Sequence, residues 1–208
     1  MGKSKDNKFF WNKYAKFYDF EIMRFNGNAY KEMYKLMSQS LTKEMNVLEI
    51  ATGTGLIAIN IAEFAGAIEA IDFSPKMIET AKKKKVPKNV NFAVEDATNL
   101  SFGDNSFDAV IISNALHIMP NPEAVLSNIK RVLKTSGILI APTYSHGHLS
   151  DKSWSLNKAI LNFIGFKTYA KWTPEEYLKF LTDNGFEVEE YRLLKAAFPL
   201  MYVEAKVK

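Results

Sequence analysis

Val47-Leu48-Glu49-Ile50-Ala51-Thr52-Gly53-Thr54-Gly55 is the stretch that decides the fold. Residues 47–50 read as a short buried strand, and the glycines that follow read as a tight turn. Leu56, Ile57, Ile59, Ile61 and Ala62 then take helical spacing. An open α/β sheet uses this strand, glycine turn and helix to receive a nucleotide-like ligand at the carboxyl end of its first strand. Gly53 and Gly55 are expected to let the backbone turn sharply and approach that ligand.

Outward from this run the chain alternates. Strands are expected at 67–71, 90–94, 107–113 and 138–141. Helices are expected between them, one running from Pro75 to about Lys85 and one from Asn121 through Leu133. Ser74-Pro75 has the form of an N-cap followed by proline at the first helical position. Thr173-Pro174-Glu175-Glu176 reads as a capping box, and Asn184-Gly185 as the end of that helix. The segments 186–194 and 200–206 read as a closing strand pair. The alternation predicts an α/β sandwich with a mostly parallel sheet and helices on both faces. Residues 142–172 show no clear strand.

Residues 1–40 read as an N-terminal helical segment, with 41–208 as the ligand-binding domain. Phe9, Phe10, Trp11, Tyr14, Phe17 and Tyr18 crowd together, and Asn26-Gly27-Asn28 reads as a break between two helices. Tyr14 and Tyr18 are four apart and are expected on one helix face.

Composition sets the outer limits. The 208 residues are 47% hydrophobic, enough for one large domain with a sizeable core. There is no cysteine, which excludes disulfides and cysteine-held zinc. No apolar run approaches the roughly 20 residues that span a bilayer, and no signal-like stretch precedes Trp11, so a cytoplasmic location is expected. The formal charge of +4 is carried largely by Lys3, Lys5, Lys8 and the run Lys82 to Lys85, which read as solvated surface.

Three acids fall at the ends of consecutive strands: Glu49, Asp72 and Asp96. Asp72 follows Gly55 at close to the spacing of about 20 residues expected of a carboxylate that accepts from ribose hydroxyls. Asp96 can accept from an exocyclic amine, and Glu49 can organise a ligand amino group. Taken singly, each acid also reads as a cap or turn residue.

As an ordered set, these motifs resemble the class I S-adenosylmethionine-dependent methyltransferases, in the branch that includes quinone and phospholipid methyltransferases. The resemblance covers residues 45–141. It rests on 47–55, on Ala-Ile-Asp-Phe-Ser-Pro-Lys-Met-Ile at 70–78, on Glu95-Asp96-Ala97, on Phe-Asp-Ala-Val-Ile-Ile-Ser-Asn-Ala-Leu-His at 107–117, and on Arg-Val-Leu-Lys-Thr-Ser-Gly at 131–137. It implies a Rossmann-like seven-stranded sheet with the last strand antiparallel and an N-terminal helical lid. It implies an S-adenosylmethionine pocket lined by Tyr18, Glu49, Ala51, Gly53, Gly55, Asp72, Phe73, Met77, Asp96, Ala97 and Asn114. Phe73 would pack near the adenine, and Asn114 would face the methionine end. The family commonly has Pro-Gly-Gly where this chain has Thr135-Ser136-Gly137, a change in a turn.

The implied activity is methyl transfer to a small-molecule or lipid acceptor. His117, His146 and Tyr14 are the catalytic candidates, a base being needed only if the nucleophile must lose a proton. His146 and His148 stand at i, i+2 without an evident third ligand, and no metal is expected. The aromatic, lysine-flanked N-terminus suits peripheral contact with an anionic membrane surface. Nucleic acid is not favoured as substrate, since no base-flipping signature surrounds Asn114. The oligomeric state is not readable.

Two other classes fit parts of the chain. Gly53-Thr-Gly55-Leu-Ile-Ala58 satisfies the dinucleotide fingerprint of a nicotinamide oxidoreductase, but Glu49 would stand against the pyrophosphate. A non-catalytic S-adenosylmethionine-binding protein would share every motif.

Overall fold

The computed structural model describes residues 3–145, 167–196 and 199–208. Two helices open the chain, α1 (Lys3–Tyr14) and α2 (Tyr18–Ser40). The sheet follows, with β1 (Asn46–Ile50), α3 (Leu56–Ile61), β2 (Ala67–Asp72), α4 (Pro75–Lys82), β3 (Val90–Val94), β4 (Phe107–Ile112), α5 (Pro122–Val132) and β5 (Leu133–Ile140). A short β6 (Thr143–Tyr144), α6 (Pro174–Asp183), β7 (Phe186–Leu194) and β8 (Leu200–Val207) complete it.

The strands lie in the order β3-β2-β1-β4-β5-β8, with β6 and β7 also paired to β8. The pairs among β1 to β5 are parallel, and all those to β8 are antiparallel. Eight strands replace the expected seven because strand five is interrupted. Leu139 and Ile140 pair with Ala205 and Glu204, and after Ala141-Pro142 the strand resumes as Thr143 and Tyr144 against Met201 and Leu200. Proline cannot donate to a ladder, so the break falls there. That short resumption lies in the region expected to hold no strand.

The alternation of burial explains why the sheet forms. Val47, Ile68, Ala109 and Ile111 point into one core with α2 and α3. Leu48, Ile50, Ile71, Val110 and Ile112 point into the other, with α5 and α6. Both faces are covered, as a parallel sheet requires.

The expected caps form. The Ser74 hydroxyl accepts from the Met77 N–H at 3.2 Å, with Pro75 opening α4. The Thr173 hydroxyl accepts from the Glu176 N–H at 3.3 Å, and the Glu176 carboxylate accepts from the Thr173 N–H at 2.9 Å.

Three expectations need correction. Asn26-Gly27-Asn28 does not break the helix, and α2 runs through it. Asn26 is buried and donates to the Tyr144 hydroxyl at 3.1 Å, while Ala29, Tyr30, Met33 and Met37 bury the face that follows. That burial outweighs the ~1 kcal/mol cost of a mid-helix glycine. The break falls at Ala15–Phe17 instead, so Tyr14 and Tyr18 sit on different helices with their rings edge-to-face at 6.2 Å. The Ser136-Gly137 turn is a bulge inside β5: Phe107 pairs with Leu133, yet Ala109 pairs with Ile138. A Cβ on Gly137 would meet the Asp108 carbonyl at 3.0 Å, which keeps that position small.

Candidate functional site

The carboxyl ends of β1, β2 and β4 open into a cavity of about 370 Å³, roofed by α1 and the start of α2. It lies where the strand order reverses between β1 and β4, the place at which open α/β sheets bind ligands.

The floor is held by backbone bonds to one acid. Asp72 is buried; its Oδ2 accepts from the Gly53 N–H at 2.9 Å and its Oδ1 from the Ser74 N–H at 2.8 Å. One carboxylate thus ties the glycine turn to the end of β2. Burial pushes the Asp72 carboxyl up to about 6, against the lowering pull of those two N–H groups. Ala51 and Gly53 both take a left-handed backbone, at φ of 57° each.

Gly55 makes the expected left-handed turn, at φ 77°. A Cβ there would lie 2.4 Å from Phe92 Cζ, so the missing side chain also makes room for β3 packing. Glu49 stands behind the cavity wall. Its carboxylate accepts from the Thr52 hydroxyl at 2.7 Å and from the Ala58 N–H at 3.0 Å, stapling the turn to α3. Burial pushes its carboxyl up to about 8. Neither residue lines the cavity.

Ala51, Gly53, Asp72, Phe73, Met77, Asp96, Ala97, Asn114 and Tyr18 all line it. Asp96 gives one oxygen to a local turn, accepting from the Thr98 N–H at 2.8 Å and hydroxyl at 2.7 Å. Asn114 has a left-handed φ of 53°, and its Nδ2 donates to the Tyr30 hydroxyl at 3.3 Å. Its Oδ1 is buried with no hydrogen-bond partner, a costly state unless a donor arrives. Behind it stand the hydroxyls of Tyr18 and Tyr144, neighbours that act on the Tyr30 phenol. Burial pushes the Tyr18 and Tyr144 hydroxyls well above the usual phenol range.

Two catalytic candidates stand outside the wall. His117 sits on the turn after β4, with Nδ1 3.3 Å from the Thr143 hydroxyl. Its carbonyl accepts from the N–H groups of Tyr169 and Ala170 at 2.9 and 3.1 Å. The Tyr14 hydroxyl donates to the Glu21 carboxylate, and burial with that neighbouring charge raises its pKa. His146 and His148 lie outside the described residues.

Sequence reasoning missed part of the wall. Asn7, Trp11, Ser113, Ile118 and Met119 contribute to it. Asn7 is buried and donates to the carbonyls of Ile118 and Lys167 at 3.0 and 3.3 Å. Contacts across such sequence distances leave no local signal. Among the described residues the lining includes three carboxylates, Asp72, Glu95 and Asp96, and no lysine, arginine or histidine. Such a wall suits a cationic or neutral ligand and opposes a pyrophosphate.

A methyltransferase domain family matches residues 48–141. A demethylmenaquinone methyltransferase of Renibacterium salmoninarum is 38% identical over 100 residues, a match covering 48% of this chain and 41% of that protein. The match therefore spans about two fifths of that relative's length. One from Staphylococcus epidermidis is 30% identical over 187 residues, covering 84% of this chain and 77% of that protein. This chain belongs to the class I S-adenosylmethionine-dependent methyltransferases. Solved structures share the methyltransferase fold. The DhpI–SAH complex has a TM-score of 0.78 at 19% identity, over 99% of this chain and 97% of that one. A SAM-dependent methyltransferase from Aquifex aeolicus has a TM-score of 0.66 at 18% identity, over 90% and 92%. The oxidoreductase reading of the glycine turn is set aside by this membership. The cofactor of that family is S-adenosylmethionine.

Proposed function

We propose that the chain transfers a methyl group from S-adenosylmethionine to a small aromatic acceptor of the quinone type, the class that the names of its curated relatives suggest. One observation supports the placement of the donor: a buried carboxylate, Asp72, in the wall of a cavity whose described lining holds acids and no cation. In this reading Asp72 accepts from the ribose hydroxyls, Phe73 and Met77 cover the adenine, and Asp96 receives its amine. Asn114, with its unpartnered Oδ1, takes a donor from the methionine end.

Methyl transfer from a sulfonium is an in-line displacement with the leaving group already in place. The protein's task is then mainly orientation and exclusion of water. Trp11 and Tyr18 on the roof serve both. Asn114, Ile118 and Met119 border the side where the acceptor would enter. His117, beside Ile118 on the same turn, is the candidate base for an acceptor that must lose a proton. Tyr14 supports the roof through its ring contacts with Trp11 and Tyr18.

Calorimetry with S-adenosylhomocysteine and with NAD tests the donor. S-adenosylhomocysteine alone should bind. NAD binding without a response to S-adenosylhomocysteine would overturn the reading. Label transfer from methyl-tritiated S-adenosylmethionine to a panel of demethylated quinols, catechols and amines tests the acceptor. Transfer to the amines alone would refute the quinone class, and tight donor binding with no transfer to any acceptor would favour a non-catalytic role.

A further inference from the structure

The outward face of the N-terminal helices exposes aromatic rings where a surface helix is normally polar or charged. Phe9 is 61% exposed, Phe17 62%, Phe20 70% and Phe25 58%, with Met23 at 43%. On α2, Asn26, Ala29, Tyr30 and Met33 fill the inner face. The opposite face presents Phe20, Arg24, Asn28 and Lys31, all exposed.

Cations are interleaved with these rings. The Lys13 ammonium lies over the Phe9 ring at 4.4 Å, and the Arg24 guanidinium is 5.8 Å from the centre of the Phe25 ring. Lys16 and Lys31 are exposed on the same stretch. The two acids between Phe9 and Lys31 are engaged away from it: Asp19 takes the Thr54 hydroxyl and the Lys84 ammonium, and Glu21 takes the Tyr14 hydroxyl. From Phe9 to Lys35 the stretch carries five cations against three acids, the third being the exposed Glu32, so the face offers a net positive charge.

We propose that this aromatic and cationic face docks on the surface of an anionic phospholipid bilayer. Rings set among lysine and arginine match the boundary between headgroups and acyl chains, where aromatic bodies enter and cations stay at the phosphates. A protein partner fits less well, because charges are depleted from the centres of protein interfaces. No helix among the described residues is long and apolar enough to cross a membrane, so the contact is peripheral. The inner sides of the same helices supply Asn7, Trp11 and Tyr18 to the cavity. Docking would thus set the cavity roof against the lipid, where an apolar acceptor partitions. That consequence rests on the proposed function, whereas the docking itself rests on the surface alone.

Vesicle flotation of the full chain tests it, comparing equal parts phosphatidylglycerol and phosphatidylcholine with phosphatidylcholine alone. The protein should float with the anionic vesicles, stay behind with the neutral ones, and lose binding in 0.5 M salt as charges are screened. Replacing Phe20→Ser and Phe25→Ser together should weaken binding at least tenfold. Replacing Lys13→Gln, Lys16→Gln and Arg24→Gln should weaken it by about fivefold per cation. Both variants should keep the wild-type melting temperature and affinity for S-adenosylhomocysteine. Absence of wild-type binding to anionic vesicles would overturn the proposal, as would equal binding by both variants. So would a dimer in sedimentation that the Phe20→Ser, Phe25→Ser variant abolishes, without vesicle binding. Normal S-adenosylhomocysteine affinity beside absent flotation would sink the docking and leave the proposed function standing.

Discussion

The floor and the roof of the cavity are built by different means. The floor is sheet: β1, β2 and β4 are buried on both faces, and the turn above them is pinned by backbone N–H groups on Asp72. The roof is held mostly by side chains. Asn7 bonds to Ile118 and Lys167, Asn12 accepts from Ser74 at 2.7 Å, and Asp19 pairs with Lys84. Phe10 and Ala15 are buried, but no described residue before Ile22 belongs to or packs against either core of the sheet. The contrast predicts that the floor is stable without ligand, and that the roof draws part of its order from what it covers. Local stability follows the density of buried apolar contact.

The largest effect should come from spoiling the floor. Gly55→Val places a Cβ 2.4 Å from Phe92 on a left-handed backbone. Overpacking and backbone strain together should cost about 3–5 kcal/mol, lowering the melting temperature by roughly 6–15 °C. A melt within two or three degrees of wild type would show that β3 yields to the intrusion.

Removing the roof should act on binding instead. A chain lacking residues 1–16 should lose about a hundredfold or more in affinity for S-adenosylhomocysteine while keeping a cooperative melt. Calorimetry and thermal denaturation together decide this. A deletion that unfolds the chain would make the roof part of the core and erase the contrast.

Protonation offers a finer probe. If ribose hydroxyls donate to ionised Asp72, affinity should fall up to tenfold per pH unit below about 6, the value to which burial raises this acid. Asp72→Asn should flatten that slope, and a slope that survives would assign it to another group. The free protein should respond in the opposite sense. Glu49, raised to about 8, and Asp72 both hold protons in the folded state at pH values where the unfolded chain has released them. Stability should therefore decline as pH rises from about 4 to about 8 and level off above, and Glu49→Gln should flatten most of that decline. Urea titrations across this range would measure it.

The smallest effect concerns Ala51, which is held at φ 57°. Ala51→Gly relieves left-handed strain but gives back chain entropy, for a net gain of up to about 1 kcal/mol. Affinity should not change.

The sheet was legible because parallel strands write themselves as apolar runs, as in 107–112, and because Ser74-Pro75 and Thr173-Pro174 are local signals. The unbroken α2 was not, since Asn26 is kept helical by a partner 118 residues away, Tyr144. The β5 bulge was hidden because its glycine answers to a fold-dependent crowd, Leu133 and the Lys134 carbonyl within β5 and the Asp108 carbonyl on the next strand. On the floor, Asp72 was legible from its spacing only together with the glycine turn and the other strand-end acids, since singly it also read as a cap. Glu49 and Gly55 belong to the same motif, yet they serve the turn's own packing, a distinction only the third dimension makes. Most of the roof's lining was invisible for the same reason as Asn26: Asn7 meets Ile118 across 111 residues.

The central claim is that the donor lies in this cavity with its ribose on Asp72. Calorimetric titration of S-adenosylhomocysteine into wild type and Asp72→Ala addresses it most directly. Loss of a charged hydrogen bond worth roughly 1.5–3 kcal/mol predicts affinity weaker by about one to two orders of magnitude. A shared far-ultraviolet spectrum and cooperative melt would show that the fold survives. An Asp72→Ala protein that is folded and binds S-adenosylhomocysteine as tightly as wild type would contradict the account.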